Sequence, residues 1–375
     1  MSSPEVFRLF DASSTAAMNE AASSVLLTGQ IASGSFISSF ETEFSKAAGR
    51  GSGVSTDNMT SALVLALHLA GIGIGDEVAT LAYSCLSSNS AIQRVGATPV
   101  WVDIDPETAT LSCDDLARAV TAKTKAVTVY HVMGYPAPIR EIAAFCRARG
   151  LVLIEDCNAA LGAEVDGQPV GTFGDFAVYS FYPNRQINAL DGGMLYCPDE
   201  ATTQRARKLR RFGIDLTSFR DSRGEINPAA DVSEIGWSCG MSNLNASVGL
   251  AHLADWEQNK ARIRENAAYL KSVIDSLSGV RAISCSRDAQ SGWWGFAVLS
   301  LDRDEKLAKL KSRGIQASIL HQRNDTYSGF KSTVRHLPGT DLFQKEVIVL
   351  PCGPWLNIHD IEILGSHLQS VWSPR

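Results

Sequence analysis

The chain has 375 residues, 45% of them hydrophobic, and a formal net charge of −6 at pH 7. That is enough apolar material for a large core divided over two or three structural units. The acidic balance excludes a nucleic-acid partner, which needs a concentrated Lys/Arg surface, and no apolar run is long enough to span a bilayer.

Apolar periodicity and Gly/Pro punctuation order the chain as follows. Ser61 to Leu69 reads as a helix ending at Gly71 and Gly73, and Glu77 to Thr80 as a short strand. Ala91 to Val95 is helical, Pro99 to Asp103 a buried strand, Leu116 to Val120 helical and Ala126 to Val132 a β-branched strand. Ile139 to Arg149 is an amphipathic helix closed by Gly150, and Leu151 to Glu155 another buried strand. This alternation implies an α/β fold with a mainly parallel sheet between helices, which binds ligands at the carboxyl ends of its strands. A long helix from Asn245 to Leu277 leads into a second α/β unit. Its elements are strand Phe296 to Leu301, helix Asp304 to Arg313, strand Gln316 to Leu320 and a closing helix from Asp360 to Val371. The expected division is a large domain with an N-terminal arm over 1–250, then a linking helix and small C-terminal domain over 251–375.

The start, MSSPEVFRLFDASS, lacks the charged-then-apolar order of a leader peptide, so a cytoplasmic location is expected. Eight cysteines without CxxC pairs indicate reduced core thiols rather than disulfides or a metal site.

The most specific segment is IEDCNAALGAEVDGQPVGTFGDFAVYSFYPNRQINALDGG, from Ile154 to Gly193. It resembles the signature region of the DegT/DnrJ/EryC1/StrS aminotransferases, which make amino sugars on nucleotide carriers. ALVLALHLAGIGIGDEV, GATPVWVDIDPETATL, LRRFGID, IGWSCGMSNLNASVGLAHL, HQRNDTYSGF and IVLPCGPWL match as well, in the expected order over nearly the whole chain. The resemblance implies a fold-type I architecture, a homodimer, pyridoxal phosphate (PLP) or its amine form (PMP) as cofactor, and a nucleotide sugar or sugar-like ketone as substrate. It places Asp156 against the pyridine nitrogen, whose protonation makes PLP an electron sink, and Asn158 against the ring. It gives Thr60 and Ser61 the phosphate at a helix start, with Ser180 as a further hydroxyl donor, and sets Asn188 in the pocket.

The chain departs from this pattern where the chemistry is most demanding. The family's Schiff-base lysine lies five residues after the Ser of the SF motif; in Ser180-Phe181-Tyr182-Pro183-Asn184-Arg185 that place is Arg185, and no lysine lies between Lys125 and Lys208. A guanidinium, with a pKa above about 12, never becomes the free amine that an imine requires. The Gly before the phosphate-turn Thr is Met59, expected to crowd a phosphate. The aromatic that stacks on the ring is Cys85, with Tyr83 as a neighbouring substitute. Ser238 and Gly240 replace the Asn and Arg of the segment that reaches the partner subunit.

Three readings stay open. The chain retains the substrate class and holds PLP or PMP noncovalently. Alternatively, it is a cofactor-independent enzyme in which Arg185 binds an anion and Tyr182, Asp156, Cys85 and His321 supply acid, base or nucleophile. The third reading is a catalytically silent partner of an active paralogue.

Overall fold

The computed structural model describes residues 6–286, 288–330 and 334–372. The outer limits of the two expected domains, at 1 and 375, fall outside these residues.

Two helices, α1 (Ala16–Thr28) and α2 (Ser35–Ala47), precede a seven-stranded sheet. Its strands are β1 (Gly53–Thr56), β2 (Glu77–Leu81), β3 (Thr98–Val102), β4 (Thr124–Tyr130), β5 (Val152–Asp156), β6 (Phe176–Ser180) and β7 (Gly193–Tyr196), in spatial order β1-β7-β6-β5-β4-β2-β3. The β6-β5-β4-β2-β3 pairs are parallel, and β7 is antiparallel to both of its neighbours. Side chains alternate across the sheet, so each strand feeds two cores. Val127, Leu153 and Tyr179 join one buried cluster, and Ala126, Ile154 and Val178 the other.

The covering helices are α3 (Met59–Leu69), α4 (Leu86–Arg94), α5 (Cys113–Ala119), α6 (Ile139–Arg149) and α7 (Glu200–Leu209). In α6, Ile139, Ile142, Ala143 and Cys146 are buried, the spacing of a single helix face, and Gly150 ends the helix at φ 63°. Four of the five parallel strands and most of the covering helices thus fall close to where periodicity places them, and Phe176–Ser180 is a strand that periodicity does not single out.

Two expectations change. The helix expected from Asn245 to Leu277 is broken at Ala254–Asp255 into α8 (Asn243–Leu253) and α9 (Trp256–Asp275). The break lets the two halves follow different partners: α8 packs on α1 and α2, whereas α9 packs on the closing helix Ile358–Trp372. The stretch Gln316 to Leu320 is not a strand. Gln316 N–H donates to Phe7 O and Ser318 N–H to Val349 O, and Leu320 turns to φ 59°, so only isolated bridges form. The second sheet instead comprises β8 (Val280–Ala282), β9 (Phe296–Ser300) and β10 (Val347–Leu350), all antiparallel. Helices α10 (Arg303–Ser312), α11 (Pro338–Glu346) and α12 (Ile358–Trp372) complete the chain. Phe7, on the far side of the division at residue 250, packs in the core of this second unit with Leu270, Val298 and Leu364. Among the described residues no helix is long and apolar enough to cross a membrane.

Candidate functional site

The carboxyl ends of β2, β4, β5 and β6 deliver Tyr83, Tyr130, Asp156 and Ser180 to one edge of the large sheet. Tyr130 and Asp156 are register partners. Asp156 is fully buried. Its Oδ2 accepts from Ser88 Oγ at 2.5 Å, and its Oδ1 accepts from Asn158 N at 3.1 Å and Asn158 Nδ2 at 2.9 Å. Burial pushes its pKa up; the Ser88 and Asn158 hydrogen bonds and the charge of Arg185 oppose that rise. Asn158 is buried too, and its Oδ1 has no partner.

The carboxylate before it, Glu155, has a structural task. Its oxygens accept from Gly171 N, Phe173 N and Gly174 N at 2.6–2.7 Å. His131 Nδ1 accepts from Ala137 N, which puts its proton on Nε2, facing Glu155 Oε2 at 3.2 Å. His131, Glu155 and Cys157 lie close enough to ligate a metal, but these hydrogen bonds already engage both the carboxylate and the imidazole.

Arg185 stands beside Asp156. Its Nη1 donates to Asn184 Oδ1 at 3.1 Å, and its guanidinium carbon sits 4.4 Å from the centre of the Trp294 ring. Phe10 stacks on Trp294 with centroids 4.2 Å apart and planes 16° from parallel, so phenyl, indole and guanidinium form three layers. The Trp294 Nε1–H donates to Asn184 O at 2.5 Å, and its backbone N–H donates to Met133 O at 3.1 Å. Met133 N–H in turn donates to the Tyr130 hydroxyl at 3.2 Å. Burial lowers the Arg185 pKa, while Tyr130, Cys85, Asp156 and Tyr182 raise it. Met133 (φ 55°), Trp293 (φ 41°) and Leu320 (φ 59°) hold left-handed backbone in the segments around this residue, a strain of about 1–3 kcal/mol each that surrounding structure must impose.

His321 closes the other side. Tyr83 and Tyr130 meet its ring edge-on at 5.5 and 6.1 Å, and its buried Nε2 has no partner. Burial, reinforced by the charge of Arg185, lowers its pKa to about 4, so the imidazole is neutral near pH 7. Tyr83 is wholly buried, and its hydroxyl donates to Ile319 O at 2.7 Å; it braces His321.

Other candidate residues are placed differently. Met59 is buried among Val54, Leu63 and Leu195, so its side chain belongs to the core rather than to a phosphate turn. Ser61 N–H donates to the N-cap Asn58 Oδ1 at 2.9 Å, and Ser61 lines a groove with His68 and Trp237. Thr60 is half-buried in the first turn of α3. A Cβ on Gly193 would stand 2.8 Å from both Asn58 O and Met59 Cα, which is how β7 passes so close to this turn. Cys85 is half-buried at the start of α4 and accepts from Ser87 Oγ at 3.0 Å. Ser180 Oγ accepts from Tyr182 N at 3.4 Å, and Tyr182 itself is 54% exposed. Asn188 is tied up locally: its N–H donates to His252 Nδ1 and its Oδ1 accepts from Leu190 N, both at 2.8 Å.

Sequence reasoning missed Ser88, Tyr130, Asn184 and Trp294. Only Ser88, three residues beyond Cys85 in the Ser-rich start of α4, carried a readable signal.

Arg185, whose guanidinium cannot form an imine, thus stands near a buried carboxylate at the end of a central parallel strand, on an α/β fold. The family model for the DegT/DnrJ/EryC1/StrS aminotransferase family matches residues 13–369, and the chain belongs to that family. It is 33% identical to GDP-perosamine synthase of Escherichia coli O157:H7 over 273 residues, 73% of this chain and 72% of that one. It is 31% identical to dTDP-4-dehydro-2,3,6-trideoxy-D-glucose 4-aminotransferase of Saccharopolyspora spinosa over 317 residues, 83% of this chain and 82% of that one. The crystal structure of AtS13 from Actinomadura melliaura superposes with a TM-score of 0.92 at 30% identity, covering 99% of this chain and 100% of that one. The family's members are PLP-dependent aminotransferases.

Proposed function

We propose that this chain acts on a nucleotide-linked keto sugar and holds PLP or PMP without a covalent bond. The observation that carries the reading is the pairing of Asp156, buried and oriented by Ser88 and Asn158, with Arg185 at the lysine position. The first preserves the contact a protonated pyridine ring needs; the second removes the amine that would tether it. The unpartnered Asn158 Oδ1 is an acceptor a ring substituent would satisfy. The phosphate end is less provided for, since Asn58 already takes the Ser61 N–H. Bound cofactor would supply an electron sink; this chain's residues would hold the ring through Asp156 and Asn158 and present neutral His321 as a proton acceptor. The activities of the two relatives, a GDP-perosamine synthase and a dTDP-linked keto-sugar 4-aminotransferase, support the substrate class.

The same reading takes the protein as a cytoplasmic homodimer. Phe212, Leu216, Ile235 and Trp237 are exposed, and Phe212 N–H donates to Trp237 O, which brings the two ends of this stretch together. Such an apolar patch fits a buried subunit contact.

The test is reduction of the protein with borohydride after incubation with PLP, followed by mass spectrometry and dialysis. Noncovalent holding predicts a cofactor absorbance that dialysis removes, with no adduct in the 185 region, and Arg185→Lys gains the adduct. An adduct in the wild-type protein within that region, or no cofactor binding at millimolar concentration, refutes the reading.

A further inference from the structure

Arg185 differs from the other arginines with a buried, unpartnered Nε. Arg207, Arg264 and Arg303 leave Nε without a hydrogen bond, yet each has a carboxylate within 4 Å: Glu41, Glu164 and Asp304 respectively. Among the described residues Arg185 has no such ion pair, and its hydrogen bond to Asn184 uses Nη1 alone. The edge left over is the one formed by Nε and Nη2. That edge is what this chain uses elsewhere to grip carboxylates. Arg205 Nε and Nη2 donate to the two oxygens of Glu234 at 2.7 Å each, and Arg281 Nε and Nη2 donate to Glu107 at 2.9 and 2.7 Å.

A half-buried guanidinium whose Nε is buried without a partner is costly unless something anionic completes it. The indole of Trp294, backed by Phe10, holds the guanidinium carbon in place before any ligand arrives, and the Trp294 bond to Asn184 O anchors the residue that holds Nη1. Little side-chain entropy then remains to be lost on binding.

The geometry points to Arg185 as the receptor for a carboxylate carried by the ligand, seated on Nε and Nη2. A monoanion is the matching charge. Asp11 and Asp255 line the same cavity as Arg185 and His321 is neutral, so a doubly charged phosphate would lack compensation. The inference rests on the keto-sugar reading for its substrate class: the ligand becomes a sugar acid, with its carboxylate near the oxo carbon, because Arg185 occupies the position of the residue that works on that carbon. The replacement has then exchanged a nucleophile for an anchor.

The experiment titrates full-length protein, without cofactor or nucleotide, with D-glucuronate, D-glucose and inorganic phosphate. Binding is read by calorimetry and by the change in indole emission that a ligand beside Trp294 causes. Glucuronate is expected to bind at least tenfold more tightly than glucose and more tightly than phosphate. Arg185→Gln abolishes the preference, and Arg185→Lys, a point charge without the fork, restores only part of it. Equal binding of glucuronate and glucose, a preference unchanged in Arg185→Gln, or tighter binding of phosphate overturns the assignment. Should the Gln variant fail to fold, a glucuronate preference in Arg185→Lys equal to that of the wild type overturns it as well. Selection of glucuronate by a chain that never binds PLP or PMP supports the fork and refutes the cofactor reading; reversible cofactor binding without carboxylate selection does the reverse.

Discussion

Trp294 holds Arg185 twice: its ring face lies 4.4 Å from the guanidinium carbon, and its Nε1–H donates to the carbonyl of the preceding residue, Asn184. The half-buried guanidinium is therefore held in the site by a residue from the loop before β9.

Trp294 is 6% exposed and joins layers from three parts of the chain. Trp294→Ala is expected to cost about 3–5 kcal/mol of unfolding free energy, the usual range for a buried aromatic. Trp294→Phe retains the stack and loses the bond to Asn184 O, for about 1–3 kcal/mol. Urea denaturation of the two variants checks the split. An Ala variant within 1 kcal/mol of the wild type would show that the layering contributes little.

The burial of Asp156 at a strand end follows from the apolar run before it, whereas the roles expected of Asp156 and Arg185 come from the family resemblance. Trp294 was not legible, since its contact with Arg185 joins residues over a hundred positions apart and nothing in GWWGF marks one indole as a platform. Four of the five parallel strands are legible through their apolar runs; Phe176–Ser180 is not singled out. The turn at Ala254–Asp255 is not legible because neither residue is a Gly or Pro breaker between two helix-forming stretches, and the packing partner changes there from α1 and α2 to α12. Met59 was expected beside the phosphate turn on position alone; the direction of its side chain, into the core with Leu63 and Leu195, is a tertiary fact.

Asp156 makes stability pH-dependent in a definite direction. Burial raises its native pKa above the ordinary 3.8, so the folded state retains a proton that the unfolded chain has released. Its contribution is complete below the unfolded value and is lost as pH rises through the native one. Wild type minus Asp156→Asn, plotted as unfolding free energy against pH, should be flat below about 3.8 and decline above it. A difference that rises over that interval contradicts a raised pKa.

The exposed apolar stretch from Phe212 to Trp237 makes the subunit contact testable. Ile235 is 77% exposed and Phe212 54%, so neither contributes much to the stability of a single chain. Ile235→Asp should leave the far-ultraviolet circular dichroism unchanged and shift the protein from dimer to monomer in light scattering after size-exclusion chromatography. An unshifted dimer places the contact on another face.

His321 reports on the charge of Arg185 directly. Its native pKa is about 4 against an ordinary 6.5, and both burial and Arg185 act in that direction. A histidine held neutral in the folded state contributes stability that is complete above 6.5 and lost as pH falls toward 4, because the unfolded chain takes up a proton first. Between pH 7 and 5 the wild type should therefore lose stability that His321→Asn does not. Arg185→Gln removes the repulsive charge but not the burial, so the imidazole titration followed by proton NMR should move up from about 4 without reaching 6.5. A carboxylate ligand seated on Arg185 would shift it in the same direction by neutralising the guanidinium, whereas a neutral sugar would not. If glucuronate left the His321 titration unchanged while binding tightly, it would be bound away from Arg185.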